Sequence, residues 1–372
     1  MASRILITGG AGFIGSHLAD ALLMRGHRVR VLDELIPQVH GADRRRPVYL
    51  SPEVELVVGD VRDKETVRAA LRDVDGVYHF AARVGVGQSM YEMAEYTSVN
   101  TVGTAVVLEA AIEHKLSRLI VASSMSIYGE GSYEDESGRH VESAGRTVEQ
   151  LKKGDWEPKS AQGAPLTAVA TPESKLPALE SVYALTKYDQ ERLCLTTGRA
   201  YGIDVVALRF FNTYGPRQAL SNPYTGVLAI FASRLLNGNR PMVFEDGLQK
   251  RDFVSVHDVV EACVLALESR NAVGRALNIG SGCPQTVRVV AERVAAAVGR
   301  SSLSPELTGT TRVGDVRHCF ADIALARACL GYSPRVEFEA GLRELAEWLR
   351  GQVARDRVAE ARSELEMRGL TL

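Results

Sequence analysis

Tyr183 and Lys187 lie four positions apart and form the pair in this chain with the clearest catalytic chemistry. They fall in a segment, about 181–200, whose pattern predicts a helix, so their side chains share one face, one turn apart. The pKa of a tyrosine phenol is ~10, and a neighbouring ammonium stabilises the phenolate and brings this pKa closer to neutrality. Such a tyrosine can take the proton of a hydroxyl group while hydride leaves the same carbon. A solvated helix face is the alternative, because this spacing alone is common.

Three glycines near the start of the chain predict a site for a phosphate group. Gly9, Gly12 and Gly15 follow an apolar run and precede a helical pattern. A strand that turns into a helix through glycines leaves backbone N–H groups pointing outward, and the helix dipole favours an anion there. A second apolar strand, 28–32, ends in Asp33, and this context completes a dinucleotide-binding fingerprint. A purely structural glycine turn is the alternative.

A hydroxyl group closes another predicted strand, 119–124. Ser124 is its last residue, followed by Met125 and Ser126. A hydroxyl at this position can hydrogen-bond a reacting hydroxyl and relay its proton. The alternative is a strand end that is simply rich in small polar residues.

The elements that must position these residues alternate between strand and helix over the first half of the chain. The segments 54–60, 76–82 and 205–211 predict further strands, while 63–73 and 97–115 predict helices. This alternation indicates an α/β fold with a Rossmann-type, doubly wound parallel sheet covered on both faces. Ligands bind beyond the carboxyl ends of such strands. The residues at those ends are Asp33, Asp60, Ala81, Ala82, Ser123 and Ser124.

We predict three regions along the chain. Residues 1–211 form the dinucleotide-binding domain, interrupted by an irregular insert at about 131–180 that contains Trp156. The insert is too long for an ordinary connection, so it is either functional or partly disordered. Residues 212–350 predict a smaller C-terminal mixed α/β substrate lobe interleaved with the first domain, and residues 351–372 predict a charged helix. The helices expected in the lobe lie near 225–237, 257–269 and 286–299.

Composition and charge exclude several classes of partner. The 372 residues carry a formal net charge of -2, which gives no sign of binding to nucleic acid or to a membrane surface. No apolar stretch is long enough to span a bilayer, and strand-forming residues begin at Arg4, which leaves no room for a signal peptide. The five cysteines are scattered without metal-ligand spacing. We therefore expect no metal, and free thiols in a reducing cytoplasm.

A set of motifs occurs in order from residue 4 to about 350. They are TGGAGFIG at 8–15, Asp33, GDV at 59–61, HFAA at 79–82, Asn100 with Gly103 and Thr104, SSMSIYG at 123–129, YALTK at 183–187, LRFFNTYGPR at 208–217 and RDFV at 251–254. With these motifs the chain resembles the extended short-chain dehydrogenase/reductases of the nucleotide-sugar epimerase/dehydratase family. The insert at 131–180 departs from the pattern, because it is much longer than in UDP-galactose 4-epimerase.

The resemblance implies that the cofactor is NAD. Asp33 would accept hydrogen bonds from the adenosine ribose and repel the 2′-phosphate of NADP. Asp60 and Val61 would face the adenine, and Asn100 would support the helix near Lys187. The full set of implied cofactor residues is Gly9, Gly12, Phe13, Ile14, Gly15, Asp33, Asp60, Val61, Ala81, Ala82, Asn100, Tyr183, Lys187 and Phe210.

The resemblance also implies a nucleotide-diphospho-sugar substrate and a homodimer. The catalytic residues would be Ser124, Tyr183 and Lys187, with Tyr183 as the acid/base group. The substrate would be bound by Ser126, Asn212, Arg251 and Arg312; the planar fork of arginine matches phosphate oxygens. Family members commonly pair two helices that correspond to 97–115 and 182–201 here.

The strand-end motif narrows the reaction. Related 4,6-dehydratases carry Asp-Glu after the hydroxyl residue, where this chain has Met125 and Ser126. Neither side chain transfers protons at pH 7, so we expect a 4-epimerase that oxidises and re-reduces C4 of the sugar. The insert and the C-terminal residues 364–372 resemble those of bacterial enzymes that interconvert dTDP-L-rhamnose and dTDP-6-deoxy-L-talose.

Other reactions fit the same residues. One alternative is a UDP-hexose or UDP-uronate 4-epimerase or a decarboxylase, and another is a one-way 4-ketoreductase that releases its cofactor in every turnover. A non-catalytic NAD-binding regulator is a more distant alternative. Such a regulator should have lost the pair of Tyr183 and Lys187.

Overall fold

Strands and helices alternate through the computed structural model, which describes residues 2–141, 145–224, 226–312 and 314–371. The strands are β1 (Arg4–Thr8), β2 (Arg28–Asp33), β3 (Glu55–Val58), β4 (Gly76–His79), β5 (Arg118–Ser124), β6 (Ser132–Glu134), β7 (His140–Val141), β8 (Thr167–Val169), β9 (Asp204–Phe210), β10 (Asn212–Tyr214), β11 (Met242–Val243), β12 (Lys250–Ser255), β13 (Ala276–Ile279), β14 (Pro284–Thr286), β15 (Glu306–Leu307) and β16 (His318–Cys319). The helices are α1 (Phe13–Met24), α2 (Pro37–His40), α3 (Lys64–Ala70), α4 (Val86–Ser89), α5 (Met93–Tyr96), α6 (Gly103–Glu113), α7 (Val148–Lys152), α8 (Val182–Tyr201), α9 (Val227–Leu236), α10 (Val256–Glu268), α11 (Val287–Ala297), α12 (Ala324–Leu330), α13 (Phe338–Leu349) and α14 (Val358–Met367). Within these described ranges, no helix is both long and apolar enough to cross a membrane.

The central sheet has seven parallel strands in the order β13-β9-β5-β4-β1-β2-β3. The chain builds outward from β1 through β2 to β3, then crosses back to place β4 on the other side of β1. This reversal creates a crevice at the carboxyl ends of β1 and β4, where open α/β sheets bind ligands. The expected Rossmann-type sheet is confirmed.

Both faces of the sheet are covered, because successive apolar side chains along each strand point first to one face and then to the other. In β1, Ile5 and Ile7 pack in one buried cluster with Leu18 of α1 and Val259 of α10. Leu6 points the other way, into a second cluster that includes α6 and α8. Sheets buried on both faces read as continuous apolar runs, which is why the strands were visible in the sequence.

Helix α8 carries the Tyr183–Lys187 pair and has well-defined ends. The Ser181 hydroxyl accepts a hydrogen bond of 3.1 Å from the Ala184 N–H at its start. Gly202 ends the helix in the left-handed conformation with φ of +73°. These caps satisfy terminal backbone groups and fix the turn on which Tyr183 stands.

A buried ion pair joins α8 to the sheet. Arg209 of β9 donates to Glu191 of α8 through two hydrogen bonds of 2.7 and 2.9 Å. The exposed fractions are 6% for Arg209 and 1% for Glu191. Glu191 also accepts a hydrogen bond of 2.7 Å from the Ser123 hydroxyl of β5. One carboxylate therefore connects α8, β9 and the end of β5.

The C-terminal half contributes to both parts of the molecule. Its strands β10, β12, β14 and β16 form a separate small sheet, and α9, α11 and α13 pack into a third apolar cluster. Strand β13, however, joins the edge of the main sheet beside β9, and α10 packs against α1. The two parts are thus interleaved in the chain.

Three predicted segments differ from the structure. The helix expected over 97–115 begins with a π-helical stretch, Thr97–Val102, before α6; π-helical turns interrupt α-helices at functional places. The charged helix expected over 351–372 is confined to α14, and the insert contains the small antiparallel sheet β7-β6-β8. Residues 142–144 of the insert and Leu372 lie outside the described residues, as do Thr225 and Val313 of the predicted lobe.

We expect Glu191→Gln to lower the free energy of unfolding by about 3–5 kcal/mol, because it leaves the buried Arg209 guanidinium without its counter-charge. Chemical denaturation followed by circular dichroism measures this. Glu109→Gln is the matched control, since Glu109 is exposed and pairs with Lys64 on the surface, and it should change stability little. Equal stability of the two variants would contradict the structural role of the pair.

Candidate active site

A cavity of about 650 Å³ opens at the carboxyl ends of β1, β2, β4, β5 and β9 and extends beneath the C-terminal lobe. It brings together almost all residues that the sequence predicted for the site. Those lining it are Gly9, Gly12, Phe13, Ile14, Gly15, Asp33, Asp60, Val61, Ala81, Ala82, Ser124, Ser126, Tyr183, Lys187, Phe210, Asn212, Arg251 and Arg312. Asn100 is the predicted residue that does not line it.

The three positions of the first turn require glycine for different physical reasons. Gly9 has φ of +70°, and a Cβ there would lie 2.8 Å from the Ala81 nitrogen. A Cβ on Gly15 would lie 2.6 Å from the Gly10 Cα, so these two glycines allow close packing. Gly12 begins α1, and the nearest atom to its added Cβ would be the Gly9 carbonyl oxygen at 3.4 Å. A side chain at Gly12 would therefore occupy the space beside the helix start, where a pyrophosphate would bind.

Asp33 ends β2 with its carboxylate held by backbone groups. It accepts hydrogen bonds from the N–H of Ala11 at 3.0 Å and of Leu35 at 2.9 Å. The ring of His40 lies 3.7 Å from the same carboxylate, and burial lowers the pKa of His40 although the charge of Asp33 opposes this. The glycine turn and the acidic strand end are thus one rigid unit, which fits the ribose and pyrophosphate of NAD.

Asp60 is an ionised group at the end of the next strand. Burial opposes its ionisation, but hydrogen bonds and charge from Arg62 together lower the pKa of Asp60. The Nε–H of Arg62 donates to Asp60 at 2.8 Å, and Arg62 is in turn held by Glu95 at 3.2 Å. This ion pair fixes the backbone at Val61, the other residue expected at the adenine.

Tyr183 faces the cavity beside two serine hydroxyls. The oxygens of Ser124 and Ser126 are 2.6 Å apart. Burial raises the pKa of Tyr183, while a hydrogen bond with Ser124 acts in the opposite direction. In the protein without cofactor, the loss of solvation outweighs this hydrogen bond, and the expectation that Lys187 brings the pKa of the phenol toward neutrality stays a prediction.

Lys187 lies deep in the wall of the cavity. Its ammonium donates to the Gln190 side-chain oxygen at 2.6 Å, and burial lowers its pKa to about 8. The positive charge is therefore present below about pH 8 and is lost as the pH rises through that value. Gln190 in turn donates to Thr104 at 2.9 Å.

Sequence reasoning missed the polar network behind Lys187. The ring of His79 is hydrogen-bonded to the hydroxyls of Thr8 and Thr104, at 2.8 Å each. Burial, followed by the charge of Lys187, lowers the pKa of His79 to about 3, so the ring is neutral and adds no competing charge. The sequence offered one sign of this network, the position of Gln190 one turn after Lys187. The residues that Gln190 contacts come from β4 and α6 and could not be read from that position.

Asn100 is fully buried and positions two parts of the site from behind. Its side-chain oxygen accepts from the Arg83 N–H at 2.7 Å, and its amide donates to the Thr186 hydroxyl at 3.0 Å. It thereby connects the chain after β4 with α8, next to Lys187. The structure places it as a support for the site and not at the cavity surface.

Polar groups of the C-terminal lobe line the other half of the cavity. The Arg251 guanidinium donates to the carbonyls of Lys250 and Arg317 at 2.9 Å. Arg312 is held by Asp315 through hydrogen bonds of 2.8 and 3.0 Å. Among the described residues, three buried side-chain oxygens on this wall have no hydrogen-bond partner in the protein. They belong to Asn212, Gln218 and Gln249.

Unpaired buried acceptors are costly, so these three oxygens are suited to the donor groups of a bound molecule. The arginines supply positive charge nearby, and both are already oriented by the protein. This half of the cavity therefore fits a ligand that carries anionic groups together with hydroxyl or N–H donors.

The insert is attached to the lobe by a buried cluster of charges. Arg317, which is 0% exposed, donates to Glu157 at 2.6 Å and to Glu245 at 2.8 Å. Hydrogen bonds from His318 and Arg317 lower the pKa of Glu157 to about 2, the His318 contact contributing most. Glu245 lines the cavity, so the insert is connected to the site through Arg317. Trp156, the residue before Glu157, is half-buried.

A Rossmann-type sheet with a glycine turn, an acidic end of β2 and a Tyr-x-x-x-Lys helix beside a serine defines an NAD-binding enzyme of the short-chain dehydrogenase/reductase type. The model of the NAD dependent epimerase/dehydratase family matches residues 5–148 and 158–280. The chain belongs to this family, and the predicted family and cofactor are confirmed.

Individual relatives support the same assignment. The chain is 36% identical to dTDP-L-rhamnose 4-epimerase of Burkholderia thailandensis over 357 residues, which cover 95% of this chain and 96% of that protein. It is similar to the structure of UDP-glucose 4-epimerase from Thermus thermophilus in complex with NAD, with a TM-score of 0.73, 33% identity and coverage of 94% and 100%. The UDP-glucuronic acid 4-epimerase of Bacillus cereus, in complex with UDP-glucuronic acid and NAD, gives a TM-score of 0.75, 28% identity and coverage of 93% and 99%.

We expect Asp33→Asn to shift cofactor preference away from NAD. The amide keeps one of the two oxygens that accept backbone N–H groups and loses the charge that repels a 2′-phosphate. Chromatography of nucleotides released from the denatured, purified protein should show NAD in the wild type and a lower NAD content with a larger NADP fraction in the variant. Asp43→Asn, at an exposed carboxylate, is the control. An unchanged NAD:NADP ratio in Asp33→Asn would contradict this role.

Proposed function

We propose that the protein is a cytoplasmic NAD-dependent 4-epimerase that interconverts dTDP-L-rhamnose and dTDP-6-deoxy-L-talose. The observation that carries the reaction type is the composition of the site around Tyr183. Ser124 and Ser126 lie beside it with oxygens 2.6 Å apart, and Met125 occupies the position between them. The acid/base side chains that would remove and add protons at C5 and C6 in a dehydratase have no counterpart at Met125 and Ser126.

The cavity suggests how its residues divide the work. NAD, bound along Gly9, Gly12 and Gly15 with its ribose at Asp33, supplies the acceptor and donor of hydride. Tyr183, in the phenolate form that Lys187 would stabilise, takes the proton of the C4 hydroxyl and returns it after the sugar has turned its opposite face toward the cofactor. Ser124 holds the C4 oxygen during both transfers by hydrogen bonding.

Lys187 acts through charge. Its ammonium stands one turn from Tyr183 and stabilises negative charge on the phenol oxygen. Because burial already lowers the pKa of Lys187 to about 8, this support is complete only below that pH. The Gln190 oxygen holds the ammonium in place, and the neutral His79, which contacts Gln190, adds no competing charge.

The proposed substrate rests on the similarity to a named relative and on the polar residues with which the C-terminal lobe lines the cavity. The relative from B. thailandensis is named for dTDP-L-rhamnose and matches nearly the whole chain. Arg251, Arg312 and Asn212 line the cavity and would bind the diphosphate. A UDP-hexose or UDP-uronate 4-epimerase and a 4-ketoreductase are the competing functions. The presence of Ser124, Tyr183 and Lys187 in one cavity argues against a non-catalytic regulator.

The purified protein should convert dTDP-L-rhamnose into an equilibrium mixture with dTDP-6-deoxy-L-talose without added cofactor. Proton NMR on a panel that also contains UDP-galactose and UDP-glucuronate measures this. Turnover of UDP-glucuronate alone would make the enzyme a uronate epimerase. A requirement for stoichiometric NADPH would make it a ketoreductase, and either outcome would overturn the proposed reaction.

Tyr183→Phe tests the assigned base within the same assay. We expect turnover to fall by ~10²–10⁴-fold, because general acid–base groups contribute that much, while NAD content stays at the wild-type level. Tyr201→Phe is the matched control on the same helix, at a side chain that is 64% exposed.

We further propose that the enzyme is a homodimer formed by α6 and α8. The exposed apolar side chains Val102 and Leu185, on the two segments that begin these helices, support the proposal. Light scattering at micromolar concentration should give twice the mass of one chain, and Leu185→Asp should reduce it. A single-chain mass for the wild type would refute the dimer.

A further inference from the structure

The C-terminal helix α14 forms a wall of the cavity. Its residues Val358, Ala361, Arg362 and Leu365 all line it. They are spaced at i, i+3, i+4 and i+7, so they form one continuous face of the helix. The family model ends at residue 280, well before α14, and therefore assigns nothing to this helix.

The segment that carries α14 is fastened to the C-terminal lobe on both sides. Before the helix, Asp356 accepts a hydrogen bond of 2.7 Å from Asn239, and the Ala354 carbonyl accepts one of 2.9 Å from Asn237. After the helix, Thr371 pairs with Arg312 in an isolated β-bridge. These contacts fix the orientation of α14 across the cavity.

The other side of α14 reaches the sheet domain. The Arg368 guanidinium lies 4.4 Å from the centre of the Tyr91 ring, and the Tyr91 hydroxyl is 2.6 Å from that of Tyr224. Leu365 lies over Gly87, where an added Cβ would be 3.4 Å from the Leu365 Cδ2. The helix therefore bridges the lobe and the turn after β4.

Leu365 stands on the side of the cavity next to α4, which contacts the start of α8, the helix that carries Tyr183. Gly87 is in α4, and Ser89 of the same helix accepts a hydrogen bond of 3.0 Å from the Tyr183 N–H. Leu365 is only 5% exposed, yet it belongs to none of the three apolar clusters found in the described part of the chain. Its burial comes from the walls of the cavity and not from the protein core.

We infer that Leu365 is a specificity-determining residue that contacts the sugar of the substrate and favours an uncharged, deoxygenated carbon over a carboxylate. Burying a carboxylate against an aliphatic side chain without a partner is unfavourable, whereas a methyl group gains from the same contact. The inference rests on the proposed function, because it deepens the substrate class of that site. Because other residues would bind the nucleotide, binding of the sugar and binding of the nucleotide can be tested separately.

The test measures two dissociation constants by calorimetry in the Tyr183→Phe background, which prevents turnover. The probes are dTDP-L-rhamnose and dTDP. Leu365→Ala should weaken binding of the sugar nucleotide by roughly 10-fold, in line with the loss of several methylene-sized contacts in an apolar pocket. Binding of dTDP and the NAD content should stay unchanged, which a general loosening of the structure would not produce.

Two further variants complete the design. Met367→Ala is the matched control, because Met367 is 74% exposed on α14 and does not line the cavity; it should leave both constants unchanged. Leu365→Met keeps the apolar volume and should remain close to wild type, which guards against a folding defect in Leu365→Ala. Equal losses for dTDP and dTDP-L-rhamnose, or no loss for either, would overturn the inference.

Failure of the proposed function gives a different result. In that case the wild type turns over another sugar nucleotide of the panel, and the same comparison is made with that compound and its own nucleoside diphosphate. A selective loss in Leu365→Ala with a sugar nucleotide that lacks a carboxylate would then still support the inference, whereas turnover of UDP-glucuronate or an unselective loss would overturn it.

Discussion

The buried ion pair between Glu191 and Arg209 determines where the reacting groups stand. Glu191 lies on α8, two turns after Tyr183, and it also binds the hydroxyl of Ser123. Ser123 immediately precedes Ser124. The same carboxylate therefore fixes the helix that carries the proposed base and the strand end that carries the proposed hydroxyl relay. Removing one charge from such a buried pair strongly destabilises the folded state, so the pair keeps α8 and the end of β5 in a fixed relative position.

The two halves of the cavity are built in different ways. The cofactor half consists of strand ends and the turns that follow them, so each contribution is local in sequence. The substrate half is assembled from segments that are distant in the chain. Arg317 connects the insert to Glu245, and α14 closes the cavity between the lobe and Gly87. A fixed cofactor site combined with a separately built substrate wall allows one reaction to serve different sugars.

The parts of the site that could be predicted are those defined by short patterns. The glycine turn, Asp33 and the Tyr183–Lys187 spacing each arise within one strand–turn or one helix, and the structure brings them to one cavity. The sheet was equally predictable, because its buried strands are continuous apolar runs between helices.

Long-range contacts explain what the sequence did not reveal. The partners of Gln190 come from β4 and α6, so no local pattern marks the network around His79. The raised pKa of Tyr183 follows from burial, which depends on the complete tertiary structure. Asn100 was predicted both at the cofactor and as a support for the helix near Lys187. It does not line the cavity, and its amide contacts Arg83 and Thr186. Leu365 is a single apolar residue in a charged helix and becomes notable only when α14 is seen across the cavity.

The proposed reaction inverts the sugar by removal and return of one hydride at C4 within a single active site. The most direct test follows deuterium by NMR, using the sugar nucleotide that the enzyme turns over, labelled at C4 and converted in ordinary water without added cofactor. The label should stay at C4 of the epimer. In deuterated water, an unlabelled substrate should gain no carbon-bound deuterium. Loss of the C4 label to solvent, or incorporation of solvent deuterium at C4 or C5, would contradict the proposed reaction.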